Sequence, residues 1–193
     1  MSEKKMDTSL LDKAIQFAVK AHSGVERRGK GFPYIVHPME AVAIVASITS
    51  DQEMLAAAML HDVVEDTIYT EEDIRKEFGD RIARLVASET DIVIDGKAES
   101  ESWVERKQYA IDRLAKLDID AKIVSLGDKL SNARAMLNDY EQMGDELWNK
   151  FHVSDPKLQK WHYEGLRDSF KGLEGTLAYE EFCEIINKLF KKY

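Results

Sequence analysis

A chain of 193 residues, 44% hydrophobic and 33% charged, is long enough for one domain with a substantial core and too short for two large ones. Its net charge of −9 argues against broad attraction to DNA or RNA, although a small anionic ligand needs only a local basic cluster or a metal. No stretch approaches the roughly 18 apolar residues of a membrane span, the start MSEKKMDTSL lacks an apolar signal core, and Cys183 alone excludes an internal disulfide, so a cytoplasmic protein is expected.

Ser9 is expected to cap a helix to about Ala21, with Leu11, Ala14, Ile15, Ala18 and Val19 on its buried face. Residues 22 to 38, HSGVERRGKGFPYIVHP, read as a loop, because Gly24, Gly29, Gly31 and Pro33 break helical period. Arg27, Arg28 and Lys30 make it basic. Glycine lets backbone N–H groups approach an anion closely, so the loop is a candidate phosphate cradle and equally an exposed basic loop. Pro38 suits the first turn of a helix, which sets His37 at the entrance of an apolar helix to about Thr49, as a ligand or as a packing residue.

Asp51 then caps a helix expected to continue through AAAMLHDVVEDT, Ala56 to Thr67. Leu55, Met59 and Val63 form its apolar stripe. His61, Asp62, Glu65 and Asp66 would fill one arc of roughly 140°, with His61 over Glu65 and Asp62 over Asp66. Such groups on an apolar helix must be paired, solvated or bound to a cation. Glu65 and Asp66 alone fit a solvated helix end, whereas His61-Asp62 joins two ligand types for a borderline divalent metal.

Thr70 with Asp73 has the form of a capping box, opening a short helix that Gly79 closes, and Asp80 starts another through Ser88. Residues 89 to 100, ETDIVIDGKAES, are the least helical stretch and are expected to form a mobile loop. Trp103 to Leu117 returns to helical period, with Val104, Tyr109, Ile111, Leu114 and Leu117 mostly buried. Arg106 and Lys107 near its start are solvated charges or reach across to an anion. The next helix, DAKIVSLGDKLSNARAML, carries a core stripe of Ile123, Leu126, Leu130, Ala133 and Leu137, and stacks Asp128 with Asn132 on one face. Asp155-Pro156 opens a helix to about Leu173, and Gly172 and Gly175 precede a last one, Tyr179 to Phe190. No repeat or linker interrupts the chain. It reads as one all-α domain, residues 1–193.

His37, the His61-Asp62 pair and Asp128 form an H…HD…D constellation that resembles the HD superfamily of metal-dependent phosphohydrolases. RRGKGFPYIVHP, AAAMLHDVVEDT and LGDKLSNAR, in this order, look like the hydrolase domain of the Rel/Spo alarmone enzymes, in particular the stand-alone small alarmone hydrolases. ERK (Glu105 to Lys107) and KGLEGT (Lys171 to Thr176) extend the likeness over nearly the whole chain. The resemblance implies a compact multi-helix HD-domain fold and hydrolysis of (p)ppGpp. It implies His37, His61, Asp62 and Asp128 as ligands of one divalent metal, usually manganese, and Glu65 and Asp66 as the pair handling the attacking water. Arg27, Arg28 and Asn132 match positions that contact the nucleotide or its phosphates. Arg28 departs from the lysine often found there, which keeps the charge and changes the donor geometry. No synthetase domain is read in these residues, so the dual synthesis-and-hydrolysis activity of the long Rel/Spo proteins is not assigned.

A mixed N/O ligand set suits Mn, Fe, Co or Zn, with positions left for water and substrate. Glu65 would orient or deprotonate the water, Asp66 would relay a proton or fix the hydration shell, and Arg27, Arg28 and Lys107 would offset charge on the released pyrophosphate. Two other readings keep the same residues: a phosphatase on another nucleotide, such as the 2′-phosphate of NADPH, and a catalytically silent nucleotide-binding module. The intact site favours catalysis. The expected partner is a small nucleotide, not DNA, RNA or membrane; a homo-oligomer is open.

Overall fold

Five helices of this chain start where a side chain, Asp51, Thr70, Asp118, Asp155 or Thr176, accepts one or more of the first unpaired amides. The computed structural model describes residues 6–90, 92, 96 and 101–193. Over the described residues the regular elements are helical, with no strand and one isolated antiparallel bridge between Glu26 and Pro33. This is the all-α class read from the sequence. The expected loop at 89–100 lies largely outside the described residues, as does the start of MSEKKMDTSL. The backbone forms two compact units, Met1–Thr90 and Asp91–Tyr193.

The first unit holds α1 (Ser9–Ala21), α2 (Val36–Ala46), α3 (Gln52–Leu60), α4 (Val63–Asp66), α5 (Glu71–Phe78) and α6 (Asp80–Ala87). Its centre is α3. Every residue from Met54 to Leu60 is buried, as a helix apolar on all sides must be. Its three consecutive alanines, Ala56 to Ala58, let α1, α2 and α6 pack closely around it. Asp51 caps α3, accepting from the amides of Glu53 and Met54. The same carboxylate receives the Arg81 guanidinium from α6 at 2.8 and 3.1 Å. Those Arg81 hydrogen bonds, helped by the two amides, hold the Asp51 carboxyl below the usual aspartate range. Thr70 and Asp73 close their capping box at the start of α5.

Two expectations for α1 need correction. Ser9 does not cap it: the cap position is Thr8, and Asp7 accepts the Ser9 amide at 3.0 Å. Val19 is exposed, because Ala14 and Ala18, both fully buried, are the residues that meet the neighbouring helix.

The second unit holds α7 (Trp103–Lys116), α8 (Ile119–Met143), a 3-10 turn (Gly144–Lys150), α9 (Pro156–Ser169) and α10 (Leu177–Leu189). Asp118 caps α8, Asp155 caps α9 and Thr176 caps α10. The core of this unit is α8, buried continuously from Ala121 to Asp128. Its predicted stripe is buried at Ile123, Leu126, Leu130 and Ala133 and half-buried at Leu137. On α7 the buried face differs from the expected one: Trp103 and Leu114 are buried, whereas Val104 and Tyr109 are exposed. The reason is the partner helix. At Gly165 of α9 a Cβ would stand 2.5 Å from Ile111 Cδ1, so Ile111 meets α9 backbone and fixes the rotation of α7. The α9 helix ends at Ser169, short of the expected Leu173.

Candidate functional site

The helix expected to run through His61 and Asp62 stops just before them. The last residue of α3 is Leu60, and α4 begins at Val63. His61 and Asp62 therefore stand at the junction of two helices, with backbone still in the helical region and the Asp66 amide donating to the Asp62 carbonyl at 2.9 Å. The four ionisable groups differ in burial: His61 is buried and Asp62 half-buried, whereas Glu65 and Asp66 on α4 are exposed.

His61 is oriented by its own helix. Its Nδ1 lies 2.8 Å from the Ala58 carbonyl; a carbonyl only accepts, so Nδ1 carries the proton and donates. That leaves Nε2 as the ring's electron-pair donor. His37, buried in the first turn of α2, brings its own Nε2 to 3.3 Å from that of His61. Asp62 Oδ2 lies 2.9 Å from His61 Nε2 and 3.5 Å from His37 Nε2. Cis ligands on an ion at about 2.1 Å stand roughly 3 Å apart. Two imidazole nitrogens and a carboxylate oxygen at this mutual spacing are a donor set suited to a divalent metal.

The loop from His22 to Ile35 leads into this cluster and folds on its own backbone. The Arg27 amide donates to the Phe32 carbonyl and the Tyr34 amide to the Val25 carbonyl, each at 2.9 Å. Gly29 and Gly31 adopt φ of 67° and 71°, which only glycine takes readily. The Gly31 amide donates to Glu26 Oε1 at 2.9 Å and the Lys30 amide to the Arg27 carbonyl at 2.9 Å. These amides, expected to be open to an anion, close the loop instead. Arg28 is exposed; Arg27 is half-buried, its guanidinium 5.3 Å from the centre of the Tyr34 ring.

Tyr34 and His22 were not among the expected site residues. The Tyr34 hydroxyl donates to Asp62 Oδ2 at 2.5 Å. Burial, and then the Asp62 carboxylate, hold this phenol protonated, far above the usual tyrosine range. His22, buried at the end of α1, has its ring 4.8 Å from that of Tyr34. Burial pushes the His22 imidazole below the usual histidine range, against the pull of Asp62 and Asp66. Tyr34 stands three residues before His37 in PYIVHP, and that spacing is the only signal the sequence offers for it.

In the second unit Asp128 is buried on α8. Its Oδ1 accepts from Asn132 Nδ2 at 2.5 Å, the contact that i, i+4 spacing predicts. Lys129, absent from the expected set, places its ammonium against Asp128 Oδ2. Lys107 lies half-buried near the start of α7. Among the described residues no helix is long and apolar enough to cross a membrane.

Comparison with known proteins gives this arrangement a context. A human protein named guanosine-3′,5′-bis(diphosphate) 3′-pyrophosphohydrolase MESH1 is 33% identical over 190 residues, 96% of this chain and 96% of that one. The GTP pyrophosphokinase of Streptomyces coelicolor is 36% identical over 140 residues, 70% of this chain but 16% of that protein. The chain thus spans a small part of the long relatives it matches. Among solved structures, the crystal structure of lmo0812 from Listeria monocytogenes superposes with a TM-score of 0.70 at 31% identity, over 81% of this chain and 99% of that one. A metazoan ortholog of SpoT, described as hydrolysing ppGpp, gives a TM-score of 0.75 at 24% identity over 95% and 97% of the two chains, and shares the fold. A family model described as the HD domain matches residues 14–151. With that match over most of its length, and with relatives of the Rel/Spo type, this chain belongs to the HD-domain family.

Proposed function

We propose that this chain is a metal-dependent (p)ppGpp 3′-pyrophosphohydrolase, and that His37, His61, Asp62 and Asp128 hold its divalent ion. Manganese is the ion that the Rel/Spo resemblance implies. The observation that carries the reading is the convergence of His37 Nε2, His61 Nε2 and Asp62 Oδ2 within 3.5 Å of one another. Asp128 is assigned as the fourth ligand because it is a buried carboxylate at the D of DKLSN. The family match, residues 14–151, runs through both units, which supports one functional domain. Cys183 as the only cysteine agrees with a cytoplasmic setting.

A divalent ion held by these residues supplies charge for the phosphoryl oxygens and a lowered pKa for water. The protein's own groups do the rest. Glu65, on the turn after the ligands, orients the attacking water and accepts its proton; Asp66 beside it passes the proton on. The water oxygen bonds to the phosphorus on the ribose 3′ oxygen, the P–O3′ bond breaks, and the 3′ oxygen takes up a proton. Pyrophosphate and GDP or GTP result. Arg27, Arg28 and Lys107 balance the charge of the diphosphate, and Arg side chains grip phosphate oxygens in pairs. Asn132, held by Asp128, contacts the nucleotide.

The test is to assay Mn2+-loaded protein against ppGpp, pppGpp and NADPH side by side. Pyrophosphate release from the first two is expected. A higher kcat/KM for phosphate release from NADPH would replace the alarmone reading with the 2′-phosphatase one. Nucleotide binding without turnover would make the chain a silent module.

A further inference from the structure

A carboxylate has two side-chain torsions to settle, and Asp62 stands at a helix break where no capping bond engages its side chain. Its Oδ2 accepts a hydrogen bond from the Tyr34 hydroxyl at 2.5 Å. Tyr34 is itself held from several sides. Its amide donates to the Val25 carbonyl and its carbonyl accepts from the His37 amide, both at 2.9 Å. Its ring lies 4.8 Å from that of His22, 6.0 Å edge-on from that of His37, and 5.3 Å from the Arg27 guanidinium. A donor so constrained can orient its partner.

The geometry points to Tyr34 as a positioning residue whose O–H aims the Asp62 carboxylate at the two imidazole nitrogens. The inference rests on the reading of Asp62 as a metal ligand. Groups that hydrogen-bond a ligating carboxylate commonly change metal affinity by about 10–100-fold when removed. Tyr34 therefore acts on metal retention, and through it on rate, without touching the substrate.

The experiment is a double-mutant cycle on Mn2+ affinity, read by electron paramagnetic resonance of the free ion, with Tyr34→Phe, Asp62→Asn and the pair. Tyr34→Phe is expected to weaken Mn2+ binding by about 10–100-fold, and the pair to bind no worse than Asp62→Asn alone, because Tyr34 acts through Asp62. Saturating Mn2+ should restore kcat of Tyr34→Phe with KM for ppGpp unchanged. Since the ring is retained, the metal-free variant should melt close to wild type. Additive losses, or a raised KM at unaltered Mn2+ affinity, would overturn the proposal; the second outcome would put Tyr34 on the substrate. A lowered metal-free Tm with unaltered Mn2+ affinity would leave it a packing residue. If Asp62→Asn binds Mn2+ as wild type does, the ligand reading of Asp62 is what fails.

Discussion

At the residue scale, chemistry is divided between buried and exposed positions. His37 and His61 are buried and Asp62 half-buried, whereas Glu65 and Asp66 are solvent-facing. A metal ligand gains from exclusion of water, since its partner is the ion; a group that handles the attacking water needs access to it. Glu65→Gln keeps the shape and removes the base, so hydrolysis of ppGpp should fall by about two to four orders of magnitude. Mn2+ content and nucleotide affinity should stay close to wild type. Measured turnover within a few-fold of wild type would make Glu65 a solvated acid at a helix end and nothing more. The candidate ligands were readable from sequence because few side chains hold a divalent ion, and His37 and His61-Asp62 stand out against apolar surroundings. Tyr34 and His22 were not readable. A tyrosine and a histidine in a glycine-rich loop have no periodicity, and only the folded chain shows the phenol aimed at Asp62.

At the element scale, caps were the most legible features and helix ends the least. Asp51, Thr70 with Asp73, and Asp155 each begin the helix the sequence assigns to them, because a cap is a local bond between neighbours. The break after Leu60 carries no such mark: Val63 and Val64 continue the apolar pattern, and no glycine or proline interrupts it. Tertiary packing also decided the α7 face, through the contact of Ile111 with Gly165. The Asp51 cap gives an element-scale prediction with a pH sign. Asp51→Ala should cost about 1–2 kcal/mol in urea unfolding, the usual worth of such a cap. Asp51→Asn keeps the cap and loses the charge facing Arg81, so at neutral pH it should cost under about 1 kcal/mol, the pair being a third exposed. The Asp51 carboxyl lies below its ordinary value of 3.8 in the folded protein, so the unfolded chain binds the proton more readily. The stabilisation is complete above that ordinary value and is lost as pH falls through the folded one. The gap between wild type and Asp51→Asn should therefore close in acid; a gap unchanged with pH would show that the Arg81 pair adds nothing.

At the scale of the whole molecule, a chain of net charge −9 would, on the proposed function, have to hold a polyanionic nucleotide, and long-range attraction cannot supply the affinity. The proposed divalent ion and the local cluster of Arg27, Arg28 and Lys30 answer this in different ways. The cluster acts only when substrate is present. The ion, on the proposed reading, acts before that, because it binds the folded chain at the buried His37, His61 and Asp128 whether or not substrate is present. Metal binding to the folded state alone then stabilises it by mass action, about 2.7 kcal/mol at a free concentration 100-fold above Kd. For a chain of this size that corresponds to a rise in Tm of about 5–10 °C. Calorimetry of chelator-stripped protein, with and without added Mn2+, should show that increment in wild type. His61→Ala and Asp128→Ala should each lose most of it while keeping a folded far-ultraviolet spectrum. Should Asp128→Ala retain the full increment, Asp128 is no ligand, and the ion is held by residues of the first unit alone. Should stripped and loaded wild type melt together, the buried cluster owes nothing to a metal, and the hydrolase reading loses its chemical basis.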